Sequence, residues 1–227
     1  MIYRKKKIFV SIDTNSIKKA QSIINQTQTK KLKIGYKFGL EFLNSKNGRK
    51  FLNNLKNKVT FGDYKLADIP NTCASAIKAV RDLKLNYITI HISSGLNALK
   101  AAKKVSGTTK LVGVSILTSL DNKSLKQIGF NKDVKKLVLH QAKLAAKANL
   151  DAIVCSPLEV RIVRKVFKKE IITPGIRLAG DKKGDQKRVM TPKEAFHNGA
   201  TSLVIGRSLT SKGNIKKNIQ KLIKELE

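Results

Sequence analysis

The sequence predicts an α/β fold, a single (β/α)₈ barrel domain over residues 1–227. Short apolar runs rich in β-branched residues recur eight times at regular intervals, and the stretches between them carry helical spacing. Strands that alternate with helices must run parallel, joined by right-handed crossovers. Eight such units in a chain of this length fill a barrel near the lower size limit of that fold, with nothing left for a second domain.

The runs are, in order, Ile8 to Asp13, Leu32 to Tyr36, Val59 to Lys65, Tyr87 to Ile92, Leu111 to Leu117, Ala152 to Cys155, Ile171 to Ile176 and Ser202 to Ile205. Between the first two, Ile17, Ala20, Ile23 and Ile24 mark one face of a helix. Ala76, Ile77, Val80 and Leu83 do the same after the third run. Ser156-Pro157-Leu158-Glu159 and Thr191-Pro192-Lys193-Glu194 each place a hydroxyl at the cap, Pro at the first helical position and Glu three residues after the cap, so each predicts a helix start. Gly199 is a stop for the second of these, and a last helix from Ile215 to Leu226 closes the ring.

Composition narrows the class. With 41% hydrophobic residues and no low-complexity tract the chain is globular, and no run of roughly 18 apolar residues is present to span a membrane. Asp13 interrupts the first apolar run before it could be a signal-peptide core, which predicts a cytoplasmic protein. Cys73 and Cys155 are too few for a disulfide framework or clustered metal site and read as reduced core residues. Lys and Arg number 47 against 15 Asp and Glu, a formal charge of +32. The lysines are scattered over every predicted helix rather than gathered in one block, and aromatics are few, so nucleic acid is not the expected partner. The same field attracts a small phosphorylated substrate.

In a barrel of this kind the active site lies where the strands end and the loops begin. Asp13, Lys33, Asp63, Lys65, Asp68, His91, Thr118, Ser119, Arg177, Gly206 and Arg207 are the polar groups assigned to that rim. Most informative is Asp63-Tyr64-Lys65-Leu66-Ala67-Asp68-Ile69-Pro70-Asn71-Thr72. Asp63 and Lys65 are two apart, so on a strand both face the same side. Charges facing a barrel interior are costly unless paired, which marks them as chemistry rather than filler. The loops after strands seven and eight offer Gly175 and Gly206 for close backbone approach and Arg177 and Arg207 for charge-assisted bonds, the composition of a phosphate site. Leu178 to Met190, with Gly180, Gly184, Asp185 and Gln186, is long for a connection and reads as a lid.

These segments together resemble the orotidine 5′-monophosphate decarboxylase family, a TIM-barrel family, from the first strand to the last. Asp63-x-Lys65-x-x-Asp68-Ile69-Pro70-Asn71-Thr72 is similar to its signature segment. Lys33-Ile34-Gly35-Tyr36 resembles its strand-two lysine motif, Leu117-Thr118-Ser119 its strand-five motif and Thr173-Pro174-Gly175-Ile176-Arg177 its strand-seven motif. Gly184-Asp185-Gln186-Lys187-Arg188 and Gly206-Arg207 complete the set in order. The sequence departs from the family at Ala67, where many relatives have His, at Ser94 in place of a second glycine, and at Lys37, where bacterial relatives often have Glu.

The resemblance implies that Lys33, Asp63, Lys65 and Asp68 form a catalytic array, with Asp68 reaching in from the partner subunit of a homodimer with shared active sites. It implies Asp13, Lys33 and Thr72 for the ribose, Thr118 and Ser119 for the pyrimidine, and Gln186, Gly206, Arg207 and Arg177 for the phosphate. The implied reaction is loss of CO₂ from orotidine 5′-monophosphate to give uridine 5′-monophosphate in pyrimidine biosynthesis, with no cofactor and no metal. Two rival classes stand beside it. A sister enzyme acting on sugar phosphates, such as a 3-keto-gulonate 6-phosphate decarboxylase or hexulose-phosphate synthase, shares Asp-x-Lys-x-x-Asp and uses a divalent metal. A basic nucleic-acid-binding domain would show steeply salt-dependent binding to DNA.

Overall fold

The computed structural model describes residues 6–181, 188–210 and 213–227. Among them, eight parallel strands close a barrel in the order β1 to β8, a TIM barrel. The strands are β1 Lys7–Ile12, β2 Lys33–Phe38, β3 Val59–Leu66, β4 Tyr87–His91, β5 Lys110–Val114, β6 Ala152–Val154, β7 Glu170–Thr173 and β8 Ser202–Ile205. The helices are α1 Ile17–Thr27, α2 Leu40–Leu43, α3 Gly48–Asn54, α4 Pro70–Ala79, α5 Gly95–Val105, α6 Asn122–Gln127, α7 Val134–Lys147, α8 Val160–Val166, α9 Pro192–His197, α10 Arg207–Thr210 and α11 Ile215–Leu226. No described helix is long and apolar enough to cross a membrane.

Strand alternation divides the side chains into two cores. Those facing outward, such as Ile8, Val10, Ile88 and Leu203, pack under the helices. Those facing inward form a layer of Phe9, Phe61, Tyr87, Val112, Ala152, Ile172 and Val204 across the barrel. Its three aromatic rings pack with centroids 5.1 to 5.6 Å apart. Gly35 pairs with Phe9 in the ladder, and a Cβ there would stand 2.8 Å from the Phe9 ring, so the glycine makes room for it. Below this layer Lys7, Tyr87, Lys110 and Glu170 close the floor in one hydrogen-bonded network. Burial first, then the Glu170 carboxylate, pushes the Tyr87 hydroxyl up to about 12.

Two helix starts were expected from the sequence, and they differ. Thr191 caps α9 in a full capping box with Glu194, and Gly199 follows the helix at φ +103°. Ser156 does not begin a helix. Ser156 to Glu159 form a turn, and α8 starts at Val160. Glu159 stands just before α8, and Arg188 donates to its Oε1 at 2.8 Å. Both cysteines are free and buried.

Candidate active site

The site is the next inward-facing layer above the aromatic one. Two residues beyond Phe9, Gly35, Phe61 and Tyr87 stand Ser11, Lys37, Asp63 and Thr89, so the strand period that fills the barrel also lifts these polar groups to its mouth. A cavity of about 320 Å³ opens there, floored by Phe61, Val114, Val154 and Val204.

Four charged groups alternate in sign across one side of it. Lys37 Nζ lies 3.5 Å from Asp13 Oδ1 and 3.2 Å from Asp63 Oδ2, and Lys65 Nζ donates to that same Oδ2 at 2.7 Å. Thr89, fully buried, donates to the other oxygen, Oδ1, at 3.1 Å. Asp63 is itself buried, and burial works to raise its pKa. Lys37 and then Lys65 outweigh that effect and hold the carboxyl below its ordinary value. His91, half-buried at the end of β4, is pushed down by burial and by the Lys65 ammonium.

Simple pleat alternation does not account for the Asp63–Lys65 pair. Between the pairs Gly62–Ile88 and Leu66–Ile90, β3 carries four steps against two on β4, a bulge. Lys65 sits at its apex with φ +50°, a conformation that a residue with a Cβ seldom adopts. Its amide is secured by donation to Thr89 Oγ1 at 2.7 Å, so one hydroxyl fixes both the bulge and the carboxylate.

The strand-two lysine expected in this array is misplaced in the sequence reading. Lys33 is the first residue of β2 and pairs with Lys7 at the floor, so it is on the opposite side of the aromatic layer. Lys37 occupies the site instead. The chain carries Lys-x-Gly twice, as Lys33-Ile34-Gly35 and Lys37-Phe38-Gly39, and the two lysines are four residues apart. On a strand both face inward, separated by roughly 13 Å along the strand. With Lys37 as the motif lysine, Glu41 falls where the family pattern has Glu, and the apparent departure at Lys37 disappears. The repeated spacing is the signal by which Lys37 could have been found.

Opposite the charged side, Thr118 and Ser119 line the cavity, and Arg177, Gly206 and Arg207 stand at its rim. A Cβ on Gly206 would lie 3.3 Å from that of Ser11, a close approach of β8 to β1. Gly175 has φ +74°, and a Cβ there would stand 2.7 Å from the Arg188 carbonyl oxygen. Asp68 and Thr72 are exposed and are not among the residues lining their own chain's cavity. Gln186, and the middle of the expected lid from Leu178 to Met190, lie outside the described residues. Among the described residues, no three His, Cys, Asp or Glu side chains gather as a metal site.

Comparison with known proteins adds an independent result. The family model described as orotidine 5′-phosphate decarboxylase / HUMPS matches residues 6–222. The chain is similar to an orotidine 5′-phosphate decarboxylase of Prochlorococcus marinus (strain MIT 9215), 39% identical over 97% of this chain and 96% of that protein. It is also similar to one of Wolbachia sp. subsp. Brugia malayi (strain TRS), 40% identical over 96% of this chain and 98% of that one. Its fold is similar to the crystal structure of orotidine 5′-phosphate decarboxylase from Lactobacillus acidophilus, with a TM-score of 0.82, 27% identity, and coverage of 98% of this chain and 99% of that one. A barrel of this topology, bearing those motifs in order and matched along nearly its whole length, belongs to the orotidine 5′-phosphate decarboxylase / HUMPS family.

Proposed function

We propose that this chain decarboxylates orotidine 5′-monophosphate to uridine 5′-monophosphate, as a cytoplasmic homodimer. The observation that carries the reading is the alternating row Asp13, Lys37, Asp63, Lys65 at one side of a cavity whose rim holds Arg177 and Arg207. Loss of CO₂ from C6 of the pyrimidine leaves a carbanion with little resonance relief. The site must stabilise that charge in place and then protonate the carbon. Lys65 is suited to both, as a preorganised cation and as the proton donor. Asp63, held ionised, faces the substrate carboxylate and disfavours it until CO₂ departs. Lys37 replaces Lys33 in the array and, with Asp13, takes the ribose hydroxyls. Thr118 and Ser119 take the pyrimidine edge. Arg177, Gly206, Arg207 and Gln186 take the phosphate, whose binding supplies energy toward the transition state.

Asp68 and Thr72 complete the neighbouring subunit's site in this reading. Their position outside their own cavity, next to an Ile69 that is 65% exposed, supports it. The chemistry uses no cofactor. The test is the loss of orotidine 5′-monophosphate absorbance on adding pure protein with excess chelator. Turnover that survives the chelator fits this reading. Turnover absent with this nucleotide, or abolished by the chelator, favours a metal-dependent sugar-phosphate enzyme of the same family.

A further inference from the structure

Arg188 stands where three loops of the rim meet, and none of the roles above uses it. Its side chain is buried, as is that of Glu159, and the two form an ion pair at 2.8 Å. The other amino group, Nη2, donates to the carbonyl of Leu117 at 2.9 Å and reaches that of Ile116 at 3.4 Å. Its own carbonyl oxygen lies against Gly175 in the turn after β7, so closely that a Cβ would intrude. One residue thereby links the turn before α8, the chain entering Thr118 and Ser119, and the turn after β7.

Stability is a poor reason for this arrangement. Burial raises the Glu159 pKa in spite of the facing guanidinium, and an apolar pair of similar volume would hold the loops with less desolvation. A planar guanidinium does something that an apolar pair cannot, because its fork fixes the direction of each acceptor it engages. Here the acceptors are the two carbonyls immediately before Thr118.

We propose that Arg188, oriented by Glu159, is a positioning residue that sets the height of Thr118 and Ser119 above the cavity and so controls recognition of the base. The inference rests on the reading of those two residues as the pyrimidine wall. Uridine 5′-monophosphate and ribose 5-phosphate separate the contributions, since they share the sugar and phosphate and only the first carries a base. Calorimetric titration of both into the wild type, Arg188→Lys and Glu159→Gln, with thermal melts in parallel, makes the test.

The wild type should prefer the nucleotide. In Arg188→Lys, where a compact ammonium lacks the planar fork that reaches Glu159 on one side and the carbonyls on the other, nucleotide affinity should fall about tenfold while ribose 5-phosphate affinity stays within about twofold. Glu159→Gln should shift in the same direction by less, and it carries the test if Arg188→Lys does not fold. A folded variant in which both ligands weaken together, or neither does, overturns the positioning role while the proposed function stands. A wild type that does not prefer the nucleotide overturns the pyrimidine wall, and the proposal with it.

Discussion

Exchanging either of two lysines for alanine should separate the site from the barrel floor. Lys37 Nζ is 3.2 Å from Asp63 Oδ2, and both side chains are close to nine-tenths buried. Their attraction at an effective dielectric of about 20 is about 5 kcal/mol gross. Lys65 and Thr89 remain on Asp63 after the change, so much of that is retained as neutralisation of the carboxylate. What is lost is one preorganised cation at the reacting end of the substrate, an effect of about 10²- to 10³-fold on kcat where single preorganised donors have been removed. Lys33 is exposed and roughly 13 Å away down the strand, where screening by water leaves about 0.3 kcal/mol, less than a twofold change. The assay is steady-state decarboxylation by Lys37→Ala and Lys33→Ala, with circular dichroism to show that both are folded. Lys37→Ala should lose about 10²- to 10³-fold in kcat/KM and Lys33→Ala should stay within about twofold of wild type. If Lys33→Ala is the impaired variant, or Lys37→Ala keeps near-normal turnover, the register of β2 and the site built on it are wrong.

Arg207→Ala should raise KM strongly and also lower kcat, because phosphate contacts made by Arg207 contribute to the transition state as well as to the ground state; steady-state kinetics with an unchanged KM would place the phosphate elsewhere. Lys65→Ala and Asp68→Ala should each be inactive, and mixing equal amounts under subunit exchange should restore roughly a quarter of wild-type activity per site, since half the dimers become hybrids with one intact site each. Demonstrated exchange without recovered activity would exclude the shared site. The depressed pKa of Asp63 has a definite sign in stability. Its contribution is complete above the unfolded value near 3.8 and is lost as pH falls through the lower folded value, so denaturant midpoints of the wild type should drop on the acid side of pH 4. Asp63→Asn, with no proton to take up, should show a shallower fall over the same interval, and equal slopes would refute the pairing.

Much of this protein was legible in its sequence because the determining interactions are local. Alternating apolar runs and helical spacing specify strands and helices within a few residues, and the parallel order they imply leaves a closed barrel as the solution. The rim followed from the same periodicity, and so did Asp13, Asp63, Thr118, Ser119, Arg177, Gly206 and Arg207 at one mouth. Tertiary structure decided what local rules leave degenerate. Lys33 and Lys37 differ by two strand periods, so both face inward and alternation cannot choose between them. Only the register of β2 against β1 and β3 sets which one is level with Asp63. The helix start at Ser156 was beyond local rules for a related reason, because the pattern does not show that Glu159 will pair with Arg188, 29 residues away in the chain, or that α8 will begin only at Val160. The bulge at Lys65 depends likewise on a hydroxyl of the next strand, Thr89, 24 residues on. A sequence specifies which groups are available to pair, and the barrel's closure determines which of them come within hydrogen-bonding distance.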